Sequence, residues 1–401
     1  MANCLCERSW KGQAKRKDEE MRSAVIVAYG RSACSRAKKG RLAGVHPVDY
    51  AAEVLKGVKD RAPGLDAGEI EDVITGCSCP TKQADWNISR LIVNRAEFPD
   101  SVPAQTINRF CSSGLTSIAL GANAIIAGQH DVVACGGVED LTDTFIFAPL
   151  DEHKNPWIDA NYEGGYMPMG ETAERVAELY DISRERMEAF AIESHKKAYA
   201  AQTAGKLAPS IIPVTGNDGL VFDVDEGIRP DSSPEKLAAM ETCFRDDGRV
   251  TAATSSQVTD GAAYAILTSE GKAGQLGLKP LARFLGFAVS GCDARIMGIG
   301  PVTAVPKALG IAGLKLEDMD VIELNEAFAA QALACMDLLG LPEKKLNPYG
   351  GAIALGHPMG ATGTILTCKA LDYLRDTGGR YALVTMCIGG GMGAAGVFEL
   401  L

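Results

Sequence analysis

The 401-residue chain has no apolar run near the roughly 18 residues that a membrane-spanning helix needs, and no signal-peptide core near its start. Those absences predict a soluble, cytoplasmic protein with no membrane insertion. Excess positive charge is also missing: 40 basic residues face 51 acidic ones, giving a formal charge of −11, which argues against nucleic-acid or general membrane-surface binding. An anionic ligand would need a local basic patch. Neither the Cys4 and Cys6 pair nor the Cys77 and Cys79 pair has a histidine or a second cysteine pair at finger spacing, so no metal site is expected. There is no Walker A sequence. Gly391, Gly393 and Gly396 fit G-x-G-x-x-G, but only Val397 to Leu401 follow, too few for the helix and strand of a dinucleotide site. No permanently bound cofactor is expected.

What is present is a 46% hydrophobic chain, long enough for two or three domains. Its 12 cysteines are scattered through apolar segments, as reduced thiols are. Residues 1–20 are polar and mixed in charge and read as a disordered extension or an upstream start. From Met21 onward strand-like and helix-like segments alternate: AVIVAYG, then a helix over HPVDYAAEVLKGVKDRA; EDVITGCS, then a helix around ISRLIVNRAEF; SVPAQTIN, a helix after Cys111, then DVVACGGVE. The pattern is α/β and predicts a largely parallel sheet with helices on both faces. Between about 146 and 255 long polar loops replace the alternation, as in an insertion. Alternation resumes with AAYAILTSE and LARFLGFAVSG and runs to YALVTMCIGG, with a helix expected over EAFAAQALACMDLLG. VVACGG (132–137) and LVTMCIGGG (383–391) form a faint internal echo.

Within this frame a few residues sit in unusual places. Cys111, in NRFCSSGL, stands where an extended stretch hands over to a helix, so free N–H groups and the helix dipole are expected to favour its thiolate. A buried packing thiol is the competing reading. His357 lies in the glycine-rich turn GGAIALGHPMGATG, as a base, a donor or a tie for loop carbonyls. Cys387 ends a strand in MCIGGGMG, where N–H groups of Gly389 and its neighbours are free to face a ligand. Asn325 and Glu326 stand at a strand-to-helix junction, where an N-cap is the simpler reading.

NRFCSSGL, MGETAE (169–174), NEAFA, GGAIALGHPMGATG and CIGGGMG, in this order, resemble the motif set of the thiolases from about Met21 to the end. The resemblance implies a five-layer αβαβα arrangement of two similar βαβ-rich halves (21–145 with 256–278, and 279–401), with an inserted loop domain at 146–255. It implies coenzyme A and acyl-CoA thioesters as substrates, and Cys111 as the acyl-carrying nucleophile. His357 would take the proton of Cys111, and Cys387 would act as acid and base at the α-carbon. One oxyanion site would be the N–H groups of Cys111 and Gly389, the other His357 with a water held by Asn325. Arg229, in DEGIRPDSSPEKLAAM, and Ser256 match CoA contacts; Met169, Met297 and Phe328 match tunnel positions, although plain core packing or a solvated arginine would also suit such residues.

Ser112, Pro168 and Gln257 stand where biosynthetic members commonly have glycine, histidine and glycine, and they look more like the degradative 3-ketoacyl-CoA branch. The expected reaction is thiolytic cleavage of a 3-ketoacyl-CoA to acetyl-CoA and a shortened acyl-CoA. The alternatives are condensation of two acetyl-CoA molecules and a non-catalytic acyl-CoA carrier. A homodimer or homotetramer is expected, with other β-oxidation enzymes as further partners.

Overall fold

The computed structural model describes residues 22–144 and 151–401. The expected extension at 1–20 and the expected domain boundary at 145/146 fall outside them. The first half opens with β1 (Ala24–Arg31) and the short β2 (Ser35–Arg36), then α1 (Pro47–Asp60), β3 (Asp72–Gly76), α2 (Ile88–Arg95), β4 (Ala104–Ile107), α3 (Ser113–Ile126) and β5 (Val132–Glu139). The next segment holds α4 (Pro156–Asn161), α5 (Met169–Leu179), α6 (Arg184–Thr203), the two-stranded ribbon β6 (Val214–Thr215) and β7 (Val221–Phe222), and α7 (Pro234–Ala238). The chain then returns through β8 (Thr259–Ser269) and α8 (Glu270–Gln275). The second half runs β9 (Ala282–Gly291), α9 (Gly300–Ala312), β10 (Val321–Leu324), α10 (Ala329–Leu339), α11 (Ala352–Leu355), α12 (Met359–Thr377), β11 (Tyr381–Ile388) and β12 (Met392–Leu400).

Among the described residues nine strands follow one path, β10-β11-β12-β9-β1-β8-β5-β3-β4, and β2 adds to β8. The two halves meet at β1 and β9, where only Val25 with Arg283 and Ile26 with Ala282 pair. The expectation of a largely parallel sheet is corrected here. Only β3–β4, β3–β5 and β10–β11 are parallel; β1, β2, β8, β9 and β12 enter every pairing they make antiparallel. Strands β8 and β12 run back beside β5 and β11, and that direction is fixed by chain reversal between them, which hydropathy does not record.

Helices α3 and α12 pack against each other between the two half-sheets. Their apolar residues, such as Leu115, Ile118, Leu366 and Leu371, share one core with strands of both halves. Helices α1 and α2 cover the outer face of the first half, and α9 and α10 that of the second, which makes five layers. The inner helices approach closely because each carries a glycine at the crossing. A Cβ on Gly114 would stand 2.8 Å from Thr364 Oγ1, and one on Gly363 would stand 2.2 Å from the backbone nitrogen of Leu115. Smaller side chains here let the starts of the two helices come together. Cys111 precedes one start and His357 the other.

Candidate active site

Cys111 lies in a single 3-10 turn, Phe110–Ser112, just outside α3. Phe110 takes φ of 44°, a conformation that costs a non-glycine residue about 1–3 kcal/mol. Its neighbours hold it there: Phe110 N–H donates to Asn108 Oδ1 at 2.8 Å, Arg109 N–H donates to Ser113 Oγ at 2.8 Å, and Ser113 Oγ donates to the Phe110 carbonyl at 2.7 Å. Cys111 is buried. Burial pushes its thiol up to about 11; the N–H groups of Gly389 and of Cys111 itself face the sulfur and pull the other way, while the Glu139 charge adds to the rise. The expected bias toward thiolate is therefore overturned for the resting protein, since desolvation of the charged form outweighs the amide donors. The thiol is protonated at neutral pH.

His357 is buried in the turn between α11 and α12, and burial pushes it down to about 4, so its ring is neutral. Thr362 Oγ1 donates its single hydrogen to the Pro358 carbonyl at 3.0 Å and so must accept from His357 Nδ1–H at 2.6 Å. This network assigns the proton to Nδ1 and leaves a lone pair on Nε2. Asn325, fully buried after β10, places its Nδ2 3.2 Å from that Nε2, and its Oδ1 has no partner among the described residues. No direct hydrogen bond joins His357 to Cys111 among the described residues. The backbone of His357 is held by donation to Thr259 Oγ1 at 3.1 Å and to the Gln257 carbonyl at 3.2 Å. Gly356 before it has φ of 106°, and a Cβ there would stand 2.2 Å from Thr259 Oγ1.

Cys387 near the end of β11 is completely buried, and its thiol is pushed well up, by burial first and by the neighbouring Cys111 second. Met297, Phe328 and Cys387 share one apolar cluster with the half-buried Met169. A Cβ on Gly389 would stand 3.3 Å from Met169 Sδ and 3.9 Å from the Phe110 ring. Phe328 was expected inside a helix over 326–340. It is instead extended, and Ser255 pairs with it while Ser256 N–H donates to the Ala327 carbonyl at 2.9 Å, so α10 starts only at Ala329.

Arg229 lies apart from the sulfurs. It lines a cavity of about 160 Å³ with His195, Asp231, Lys236, Leu237 and Met240. Leu237, which also lines it, belongs to the same extended apolar cluster as Cys387. Arg229 N–H donates to His195 Nδ1 at 3.1 Å.

Three residues here were not assigned a role from sequence. Thr362 sets the histidine tautomer. Gln257 was noted only as a departure from glycine. Glu139, fully buried at the end of β5, accepts from the N–H groups of Ser78 and Cys79 at 3.0 Å and Gly360 at 2.6 Å, tying the loop after β3 to the start of α12. A carboxylate ending a buried apolar strand was the available signal, because such a group needs several donors.

Residues 24–271 match the N-terminal domain of the thiolases, and residues 278–400 match their C-terminal domain. The chain is 45% identical to the 3-ketoacyl-CoA thiolase of Bacillus subtilis (strain 168), with 95% of this chain and 100% of that protein covered. It is 42% identical to the enzyme of the same name from Yersinia pestis (strain Pestoides F), at 95% and 100% coverage. Among solved structures, the Bacillus anthracis acetyl-CoA acetyltransferase superposes with a TM-score of 0.88 at 37% identity, covering 95% of this chain and 99% of that one. Human mitochondrial 3-ketoacyl-CoA thiolase in complex with CoA gives 0.88 at 35% identity, covering 95% and 98%. With both domains matched in order and relatives of nearly full length, the chain belongs to the thiolase family.

Proposed function

We propose that this protein is an acyltransferase that cleaves 3-ketoacyl-CoA with coenzyme A, giving acetyl-CoA and a shortened acyl-CoA through an acyl-Cys111 intermediate. The observation that carries this reading is the placement of Cys111 just before α3, with the Gly389 N–H facing its sulfur and a second buried thiol, Cys387, two residues before that glycine. His357 Nε2 takes the thiol proton as Cys111 Sγ bonds to the 3-keto carbon. The bond from that carbon to the α-carbon then breaks, and Cys387 protonates the departing acetyl-CoA at the α-carbon. In the second half of the cycle Cys387 regains a proton from incoming CoA, whose sulfur takes the acyl group, and His357 returns the proton to Cys111.

Charge on the reacting oxygens falls near two sets of donors: the Cys111 and Gly389 N–H groups, and His357 once Nε2 is protonated, with a water on the otherwise unpartnered Asn325 Oδ1. Residues 146–255 supply the CoA-binding domain, with Arg229 in it and Ser256 just after it as contacts and Met169, Met297 and Phe328 along the acyl path. The free edge strand β4 and the exposed Trp86 and Leu91 beside it support a homo-oligomer. We place the protein in the cytoplasm, beside other β-oxidation enzymes; among the described residues no helix is long and apolar enough to cross a membrane.

Mass spectrometry after incubation with acetyl-CoA tests the assignment. Wild type and Cys387→Ser acquire an acetyl group on Cys111, and Cys111→Ser acquires none; a stable adduct on another cysteine of Cys111→Ser overturns it. Thiolysis of six- and eight-carbon 3-ketoacyl-CoA proceeds with kcat/KM at least comparable to that of acetoacetyl-CoA, because each buried methylene contributes about 0.8 kcal/mol. Collapse between four and six carbons would instead favour the acetyl-CoA condensing reading.

A further inference from the structure

Gln257 joins three parts of the site that are distant in sequence. Its Nε2 lies 2.8 Å from the carbonyl of Gly227, 3.0 Å from that of Ile353 and 3.0 Å from that of Ala354. Three carbonyl oxygens around one amide end fix its orientation, since the flipped amide would set oxygen against oxygen. Gly227 stands two residues before Arg229, in the segment that lines the cavity, and a Cβ on it would be 2.5 Å from the Ala354 carbonyl. Ile353 and Ala354 form α11, which leads through Gly356 to His357. The backbone carbonyl of Gln257 meanwhile accepts from His357 N–H at 3.2 Å and from Thr259 Oγ1 at 2.7 Å. On its other side Ser255 and Ser256 pair with Phe328 and Ala327, next to Asn325.

We propose that Gln257 is a positioning residue that couples occupancy of the Arg229 cavity by the nucleotide end of CoA to the placement of His357 and Asn325. This rests on the thiolase reading above. A segment that moves when the nucleotide end docks moves the Gly227 carbonyl, and the amide passes that displacement to α11 and the histidine turn. Binding energy gained far from the reacting carbon is thereby used at the reacting carbon. A thioester without the nucleotide engages no such coupling.

The test is single-turnover acetylation of Cys111, followed by mass spectrometry, from acetyl-CoA and from acetyl-N-acetylcysteamine, which keeps the thioester and lacks the nucleotide. In wild type acetyl-CoA is expected to react faster at saturation, and equal rates would show that no such coupling exists. Gln257→Met keeps the length of the side chain and removes its donors, and it is expected to cut the acetyl-CoA advantage by about tenfold or more while leaving the short thioester nearly unchanged. Equal loss with both thioesters means that Gln257 only supports the fold, and an unchanged advantage means that it carries no coupling; either overturns the proposal. Should Gln257→Met fail to fold, Gln257→Asn, which keeps the amide but withdraws its reach, is read in the same way. Failure of wild type to acetylate from either thioester would instead strike the thiolase reading itself.

Discussion

The two halves of this protein share one plan and use it differently. In the first, β5 lies between parallel β3 and antiparallel β8; in the second, β11 lies between parallel β10 and antiparallel β12. Each central strand is preceded by an inner helix, α3 or α12. The faint echo in sequence is this correspondence. Yet residues 140–258 separate β5 from β8, whereas the tight glycine turn 389–391 separates β11 from β12. At matching strand ends one half has the carboxylate Glu139, bound by backbone N–H groups, and the other has the thiol Cys387. The comparison teaches that the repeat supplies two helix starts facing each other. One half has the extra chain that lines the Arg229 cavity, and the other has the short turn that brings Gly389 N–H to Cys111.

The largest effect should come from cutting the tie between the inserted chain and the first half. Arg31 of β1 and Asp225 form a fully buried two-bond pair at 2.7 and 2.8 Å, and Cys34 N–H also donates to Asp225 at 2.8 Å. Asp225→Ala leaves the guanidinium buried and unpaired, so stability should fall by about 3–5 kcal/mol in denaturant unfolding. A loss below about 1 kcal/mol would show that the insertion is held by other contacts.

Next, Asn325→Ala removes a polar group that only the second half provides. It should lower kcat by about 10²- to 10³-fold with little change in stability. A change in KM alone would assign Asn325 to binding and weaken the division of labour.

Thr362→Val deprives His357 Nδ1–H of its acceptor and should lower kcat about tenfold at unchanged KM, with Thr362→Ser restoring it. Failure of serine to rescue would point to packing by the threonine methyl.

The smallest effect is a matter of pH. With Cys111 pushed up to about 11 and His357 down to about 4, both are neutral between those values in the free enzyme. Alkylation of Cys111 by iodoacetamide, taken as the difference from Cys111→Ser, should rise about tenfold per pH unit through neutrality. A plateau from pH 6 to 8 would reveal a standing thiolate–imidazolium pair.

Much of this was legible locally. Cys111 and His357 lie where an extended stretch or a glycine turn meets a helix, Asn325 just after a strand and Cys387 where a strand meets a glycine turn, and residue type with punctuation marks such places. Met297, Phe328 and Cys387 were singled out separately and do share a cluster. What sequence could not carry were properties set by partners far along the chain. Strand direction depends on which strand folds back beside which. Thiol protonation depends on how much water burial removes. Phe328 is extended because Ser255 pairs with it, although its own sequence context favours helix. Likewise α2 stops at Arg95 because Glu97 takes φ of 60°, which no apolar spacing reveals.

The seam at β1 also governs how the chain is made. AVIVAYGR leaves the ribosome early, but its sheet neighbours are β8 and β9, synthesised at 259–269 and 282–291. Until then an apolar strand with two open edges has no native partner, and neither half-sheet can close. Native pairing of β1 therefore waits until β8 and β9 have been made, and its apolar edges stay unpaired over that interval.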